Sequence, residues 1–199
     1  MKLRLITLMV LLLPVALWAQ EFTKNLATAR SSYSAGNLEN TRFALEQMLR
    51  DLDMAIGREV LKLLPPKAGA LPMVEKEDNV TGTGGGMGLY VQRFYGAEPK
   101  RASIEIINNS PMINTLQAFL TMPMIGGMMR DENQKVIKVQ GYKAQLNKTL
   151  DSETNKTDYE LLIPINNTLV TVRMDESTEA EVTAFANTIP LQKIGQIAQ

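Results

Sequence analysis

Histidine and cysteine are both absent from these 199 residues. Their absence removes most familiar reaction chemistry. There can be no Ser-His-Asp triad, no cysteine nucleophile, no H-E-x-x-H zinc site and no conventional structural zinc. Neither G-x-S-x-G nor S-x-x-K occurs. Without cysteine the chain has no disulfide and no acylated cysteine anchor, so its stability rests on a packed core. What survives is a carboxylate pair of the glycosidase kind or an oxygen-ligand metal site. Glu105, Asp131, Glu132, Asp158, Glu160 and Asp175 are the available acids, and their spacing is that of ordinary surface charge. No calcium-loop run of the form D-x-[DN]-x-[DN]-G is present. The expectation is a noncatalytic chain without a cofactor.

A net excess of either charge is missing too. Lysine plus arginine number 21, and aspartate plus glutamate also 21. No basic face can be read from the sequence, so neither nucleic acid nor an anionic lipid surface is an expected partner.

The long apolar run lies at the start, MKLRLITLMVLLLPVALWAQ. Lys2 and Arg4 form a basic prefix, Ile6 to Trp18 is apolar, and Ala19 is a small residue suited to cleavage. Residues 1–20 therefore read as a secretory signal peptide. The expected location is outside the cytoplasm, periplasmic or extracellular, with no membrane span once the leader is cut. Losing Lys2 and Arg4 leaves 19 basic against 21 acidic side chains. The ending of the leader is similar to those of Bacteroidota envelope proteins.

The stretch around which the remaining chain is organised is Asn37 to Pro66, NLENTRFALEQMLRDLDMAIGREVLKLLPP. Leu45, Met48, Leu49, Leu52, Ala55, Ile56, Val60, Leu63 and Leu64 recur at the spacing of one helical face. Asn37 is a suitable N-cap, Glu39 suits the positive end of the helix dipole, and Pro65-Pro66 stops the run. Arg50, Asp51, Asp53, Arg58 and Glu59 make it too polar to cross a bilayer. Its apolar stripe is expected to face the chain's own core, with a docking helix for a partner as the alternative. Phe22, Leu26, Ala29 and Tyr33 predict a shorter first helix ending at Gly36. Together residues 21–66 form an αα-hairpin.

Residues 67–88 read as a linker and a glycine-rich loop. Gly69, Pro72 and Glu75 to Asp78 carry the linker signal. The following TGTGGGMG, Thr81 to Gly88, is not a phosphate cradle: no Gly-Lys-Ser/Thr follows, and a strand rather than a helix comes next.

Residues 89–199 alternate as strands do. Leu89–Tyr95 and Ala102–Ile107 are two predicted strands, and Ser110-Pro111 opens a helix through Ile113, Leu116, Phe119 and Leu120. Lys135–Leu146 reads as one strand with a bulge at Gly141. Tyr159–Ile165 and Thr168–Met174 form a hairpin through Asn166-Asn167, since asparagine tolerates the positive φ of such turns. Thr178-x-x-Glu181 is a capping box that opens a last helix ending before Pro190. The predicted fold class is α+β: an N-terminal αα-hairpin with a mostly antiparallel β-sheet flanked by helices.

Two resemblances follow from these residues. LATARSSYSAGNLENTRFALEQML is similar to one tetratricopeptide hairpin through Ala27, Tyr33, Gly36 and Ala44, in a single copy. The region from Lys135 to the tail IPLQKIGQI resembles PsbP-like α-β-α sandwiches, in which a late hairpin leads into a helix and a short return segment. That resemblance implies binding rather than catalysis and carries over no site residues.

AFLTMPMIGGMMR, Ala118 to Arg130, is the most unusual stretch. Met122, Met124, Met128 and Met129 crowd within it, with Met112 nearby. Thioethers fill irregular core edges, make adaptable contact surfaces and can select Cu(I). The expected partner-binding residues are these four methionines with Gly84, Gly85 and Gly86. The function expected on this reading is a noncatalytic protein-interaction module of the cell envelope with an envelope protein as partner. A carrier of a hydrophobic ligand or soft metal through the Met-rich loop is one alternative, and a carboxylate-dependent hydrolase the other.

Overall fold

The computed structural model describes residues 21–82, 88–121, 133–150 and 155–198. Helix α1 covers residues 21–34 and α2 covers Leu38–Leu63, turning back at Gly36, whose φ of +75° suits a residue without a side chain. Asn37 caps α2 by accepting from the Asn40 amide at 3.0 Å. The two helices pack through small residues, Ala29 and Ala44 both being buried, and Asn40 Nδ2 donates to Ser32 Oγ across them.

The sheet follows. Its strands are β3 (Asn79–Gly82), β4 (Leu89–Ala97), β5 (Lys100–Asn108), β6 (Gln134–Val139), β7 (Tyr142–Leu150), β8 (Thr157–Ile165) and β9 (Thr168–Met174). They lie in the order β3-β4-β5-β9-β8-β7-β6, every pairing antiparallel. Two meanders are thus joined where β9 returns beside β5. Helix α3 (Met112–Thr121) precedes the second meander, and α4 (Glu179–Ala186) and α5 (Leu191–Ile197) close the chain. The α+β class, the leading helical hairpin and the antiparallel sheet flanked by helices are therefore as expected.

Alternation sorts the sheet into two faces. One carries Val91, Tyr95, Ile104, Ile106, Val170, Val172, Leu161, Ile163 and Leu146, all buried under α4, α5 and the C-terminal half of α2. Tyr95 ties three elements together. Its ring meets Phe185 of α4 edge-on at 5.1 Å, and its hydroxyl donates to the Pro65 carbonyl just past α2. On the opposite face Ile113, Leu116 and Leu120 of α3 pack on Leu162 and Leu169, and among the described residues this is the helix that covers it.

Two local expectations are corrected. The stretch 67–82 is not a bare linker. It carries β1 (Lys67–Ala68), β2 (Leu71–Pro72), a 3-10 turn at Glu75–Glu77 and sheet strand β3, because its polar residues find partners on β4 and β5. Lys135–Leu146 is not one bulged strand but two, β6 and β7. They are split by a tight turn at Gln140 and Gly141, both at positive φ (50° and 87°). The short segment after Pro190, whose conformation the sequence reading leaves open, is helical, with Leu191 and Ile194 buried.

Candidate functional site: the apolar side of the helical hairpin

Helix α2 does two jobs along its length. Its C-terminal half packs on β3 and β4, burying Gly57, Val60 and Leu64. β3 reaches α2 at Arg50 and Asp53, and among the described residues the first turns of α2 lie beside α1, where Asn40 meets Ser32. The expectation that the whole stripe faces the chain's own core fails there: Leu45, Leu49 and Leu52 are each about half exposed, at 47%, 51% and 49%. The physical reason is space. The sheet face is already filled by α4, α5 and the end of α2, and α1 is a single narrow helix lined by small residues.

Leu38, Leu45, Leu49 and Leu52 recur every three, four or seven residues, so they form one stripe on α2. Phe22, Leu26 and Tyr33 do the same on α1 and are also exposed, Tyr33 most of all at 69%. Helical geometry places the two stripes on one side of the antiparallel pair, clear of the α2 face that meets β3. The two aromatics, of roughly 150–250 Å² each, and the five smaller leucines are exposed between 39% and 69% and together present on the order of 600 Å². Single exposed apolar residues are ordinary, whereas a contiguous patch of this size is at the upper end of what a monomer exposes. Arg42 and Glu46 pair along α2 at 2.9 Å and supply a charged border. Of the four positions that resemble a tetratricopeptide hairpin, Ala44 is buried while Ala27 and Tyr33 are exposed.

The residues expected to bind a partner, Met122, Met124, Met128, Met129, Gly84, Gly85 and Gly86, lie outside the described residues, as does the leader 1–20. Met112, their described neighbour, is exposed at the start of α3.

The acids are engaged with neighbours. Glu160 accepts from Arg173 Nε at 2.7 Å and from Asn147 Nδ2 at 3.0 Å. Glu105 lies 3.9 Å from the same guanidinium and accepts from the Tyr90 hydroxyl at 3.2 Å. The result is a polar ladder across β4, β5, β9, β8 and β7 on the sheet face that α3 packs against. Burial, and then the nearby Glu105 carboxylate, pushes the Tyr90 phenol up to about 12. Asp158 accepts from the Glu176 amide. Asp175 is held above its usual value by burial and then by the neighbouring Asp158. Asp131 and Glu132 are outside the described residues. Among the described residues no three carboxylates gather as a metal site would require. A concavity of about 280 Å³, lined by Ala68, Leu71, Met174, Ala184 and Phe185, lies beside the Lys100–Glu181 ion pair. It is small for an organic ligand. Among the described residues no helix is long and apolar enough to cross a membrane.

Leu45, Leu49 and Leu52 belong by periodicity to a core-facing stripe, yet the fold leaves them exposed. Arg173 was missed, although the Asn166-Asn167 turn fixes its position opposite Glu160. No protein-family model, no curated protein and no solved structure matches this chain.

Proposed function

We propose that this protein is a noncatalytic interaction module of the cell envelope, exported by its leader to the periplasm or beyond, and that the α1–α2 hairpin is its docking element. One observation carries the reading: the seven-residue apolar stripe on one side of the hairpin, exposed between 39% and 69% per residue. A partner that fits it presents an apolar helical face with a charged border. The leader sequence and the absence of histidine and cysteine support export and a noncatalytic role. The Met-rich segment, with Met122, Met124, Met128 and Met129, supplies a second adaptable contact on this reading.

The test is in-cell crosslinking of the tagged protein followed by mass spectrometry, comparing wild type with Leu45→Glu/Leu49→Glu. The expected result is a defined set of envelope adducts that the double variant loses while staying folded. An unchanged adduct set in the variant would sink the reading.

A further inference from the structure

Building on the docking role of the hairpin, we infer that the surface covering it is the same hairpin of a second copy, and that the chain forms a two-fold dimer through a four-helix layer.

Three features point to a second copy. The first is size. An exposed area on the order of 600 Å² per copy reaches the lower end of the roughly 600–1,000 Å² per partner of a stable interface. The second is self-complementarity. A two-fold contact must join one patch to itself. On α2, Leu38 and Leu52 are equidistant in sequence from Leu45. An antiparallel arrangement centred on Leu45 therefore sets Leu38 of one copy against Leu52 of the other. The stripe from Leu38 to Leu52 is about 21 Å long, enough for four turns of side-by-side packing. The exposed α1 stripe, Phe22, Leu26 and Tyr33, widens the contact from two helices to four. The third is clearance. The C-terminal half of α2 is the part that meets β3 and β4. An antiparallel pairing centred near its N-terminal half sends the two sheet domains to opposite ends, so they do not collide.

The absence of cysteine makes the test clean. In protein expressed from the full sequence, Leu45→Cys is expected to form a disulfide-linked dimer under mild oxidation, because a residue on the two-fold axis meets its own copy. Phe43→Cys, on the other flank of α2, is expected to stay monomeric on a non-reducing gel. Leu38→Cys mixed with Leu52→Cys is expected to link where neither does alone. In light scattering, wild type is expected at twice the chain mass. Leu45→Glu/Leu49→Glu is expected at the chain mass with an unchanged circular dichroism spectrum. Both leucines are half exposed, and Leu45→Cys, which leaves the surface apolar, guards against misfolding. A wild-type monomer at submillimolar concentration overturns the inference, as does a dimer that survives the glutamates. If wild type is monomeric yet its envelope adducts vanish in the glutamate variant, the docking reading stands and the second copy falls. If there is neither dimer nor adduct, both fall.

Discussion

Arg93 on β4 grips Asp78 with both arms of its guanidinium. Nε donates to Oδ1 at 2.9 Å and Nη2 to Oδ2 at 2.5 Å. Its Nη1 donates to the Leu61 carbonyl in the last turn of α2. The arginine is 7% exposed. One side chain thus fastens the end of the long helix, the 3-10 segment and the sheet. Removing one member of such a pair strands a buried charge, so Asp78→Ala is expected to lower stability by about 3–5 kcal/mol. Replacing both, as Asp78→Leu with Arg93→Met, is expected to recover most of that loss, since two apolar side chains leave no unpaired charge. Urea unfolding of the two variants against wild type measures it. Equal loss in the single and double variants would show that the arginine acts through Leu61 instead.

Gly57 on α2 and Gly82 on β3 set how closely helix and sheet approach. A methyl group at Gly57 would sit 2.4 Å from Val80 Cγ1 and 2.8 Å from Leu89 Cδ1. At Gly82 it would sit 2.7 Å from the Arg50 carbonyl oxygen. In an open helix Gly→Ala stabilises by about 1 kcal/mol. Here the sign reverses: Gly57→Ala is expected to cost about 1–3 kcal/mol through overpacking. Gly82→Ala should cost more, because a backbone oxygen cannot rotate away as a methyl can. Thermal unfolding of both variants decides the order.

Local signals were legible in the sequence, and long-range ones were not. The N-cap at Asn37, the turn at Gly36, the β8–β9 hairpin and the Thr178–Glu181 box all sit where local residue chemistry placed them. Each needs only neighbours within a few positions. The misreading of Glu75–Asp78 as linker has the opposite cause, since the partner of Asp78 lies 15 residues downstream on β4. The stripe on α2 shows the same limit. Its periodicity was plain, but which surface it meets depends on how much sheet is left after α4 and α5 have packed. A glycine inside an apolar run, as at Gly141, is compatible with either a bulge or a turn. The positive φ of Gln140 decided for the turn.

The capping box at α4 has a pH signature. The Glu181 carboxylate accepts from the Thr178 amide at 2.8 Å, from Lys100 Nζ at 3.1 Å and from the Thr178 hydroxyl at 2.9 Å. These contacts, the backbone one first, hold it below its ordinary value of 4.5. A depressed carboxylate contributes stability that is complete above its unfolded value and is lost as pH falls through the folded one. Asp175 runs the other way: raised by burial and then by Asp158, it opposes folding as it ionises. Asp175→Asn is therefore expected to raise the neutral-pH melting temperature, and Glu181→Gln to flatten the acid limb. Melting curves between neutral pH and pH 3 would overturn this if Asp175→Asn lowered the melting temperature.

The strain at Gln140 has a structural purpose that two substitutions can separate. A glutamine at φ 50° sits in the left-handed region that non-glycine residues seldom adopt. Its side-chain amide reaches the end of α4, donating to the Ile189 carbonyl at 2.7 Å and the Asn187 carbonyl at 3.1 Å, with Ala186 at 3.4 Å. Ala186 ends α4, while Asn187 and Ile189 lie in the turn between α4 and α5, so the amide ties the β6–β7 turn to that connection. Gln140→Gly relieves the backbone but loses the tie. Gln140→Ala keeps the strain and loses the tie as well. Each lost hydrogen bond is worth about 1 kcal/mol, and alanine in place of glycine at positive φ adds about 1 kcal/mol. The expected order of stability is wild type, then Gln140→Gly, then Gln140→Ala. Chemical unfolding reads the order directly. A glycine variant more stable than wild type would mean that the strain outweighs the tie, and that the end of α4 is held by the Phe185 and Leu191 packing alone.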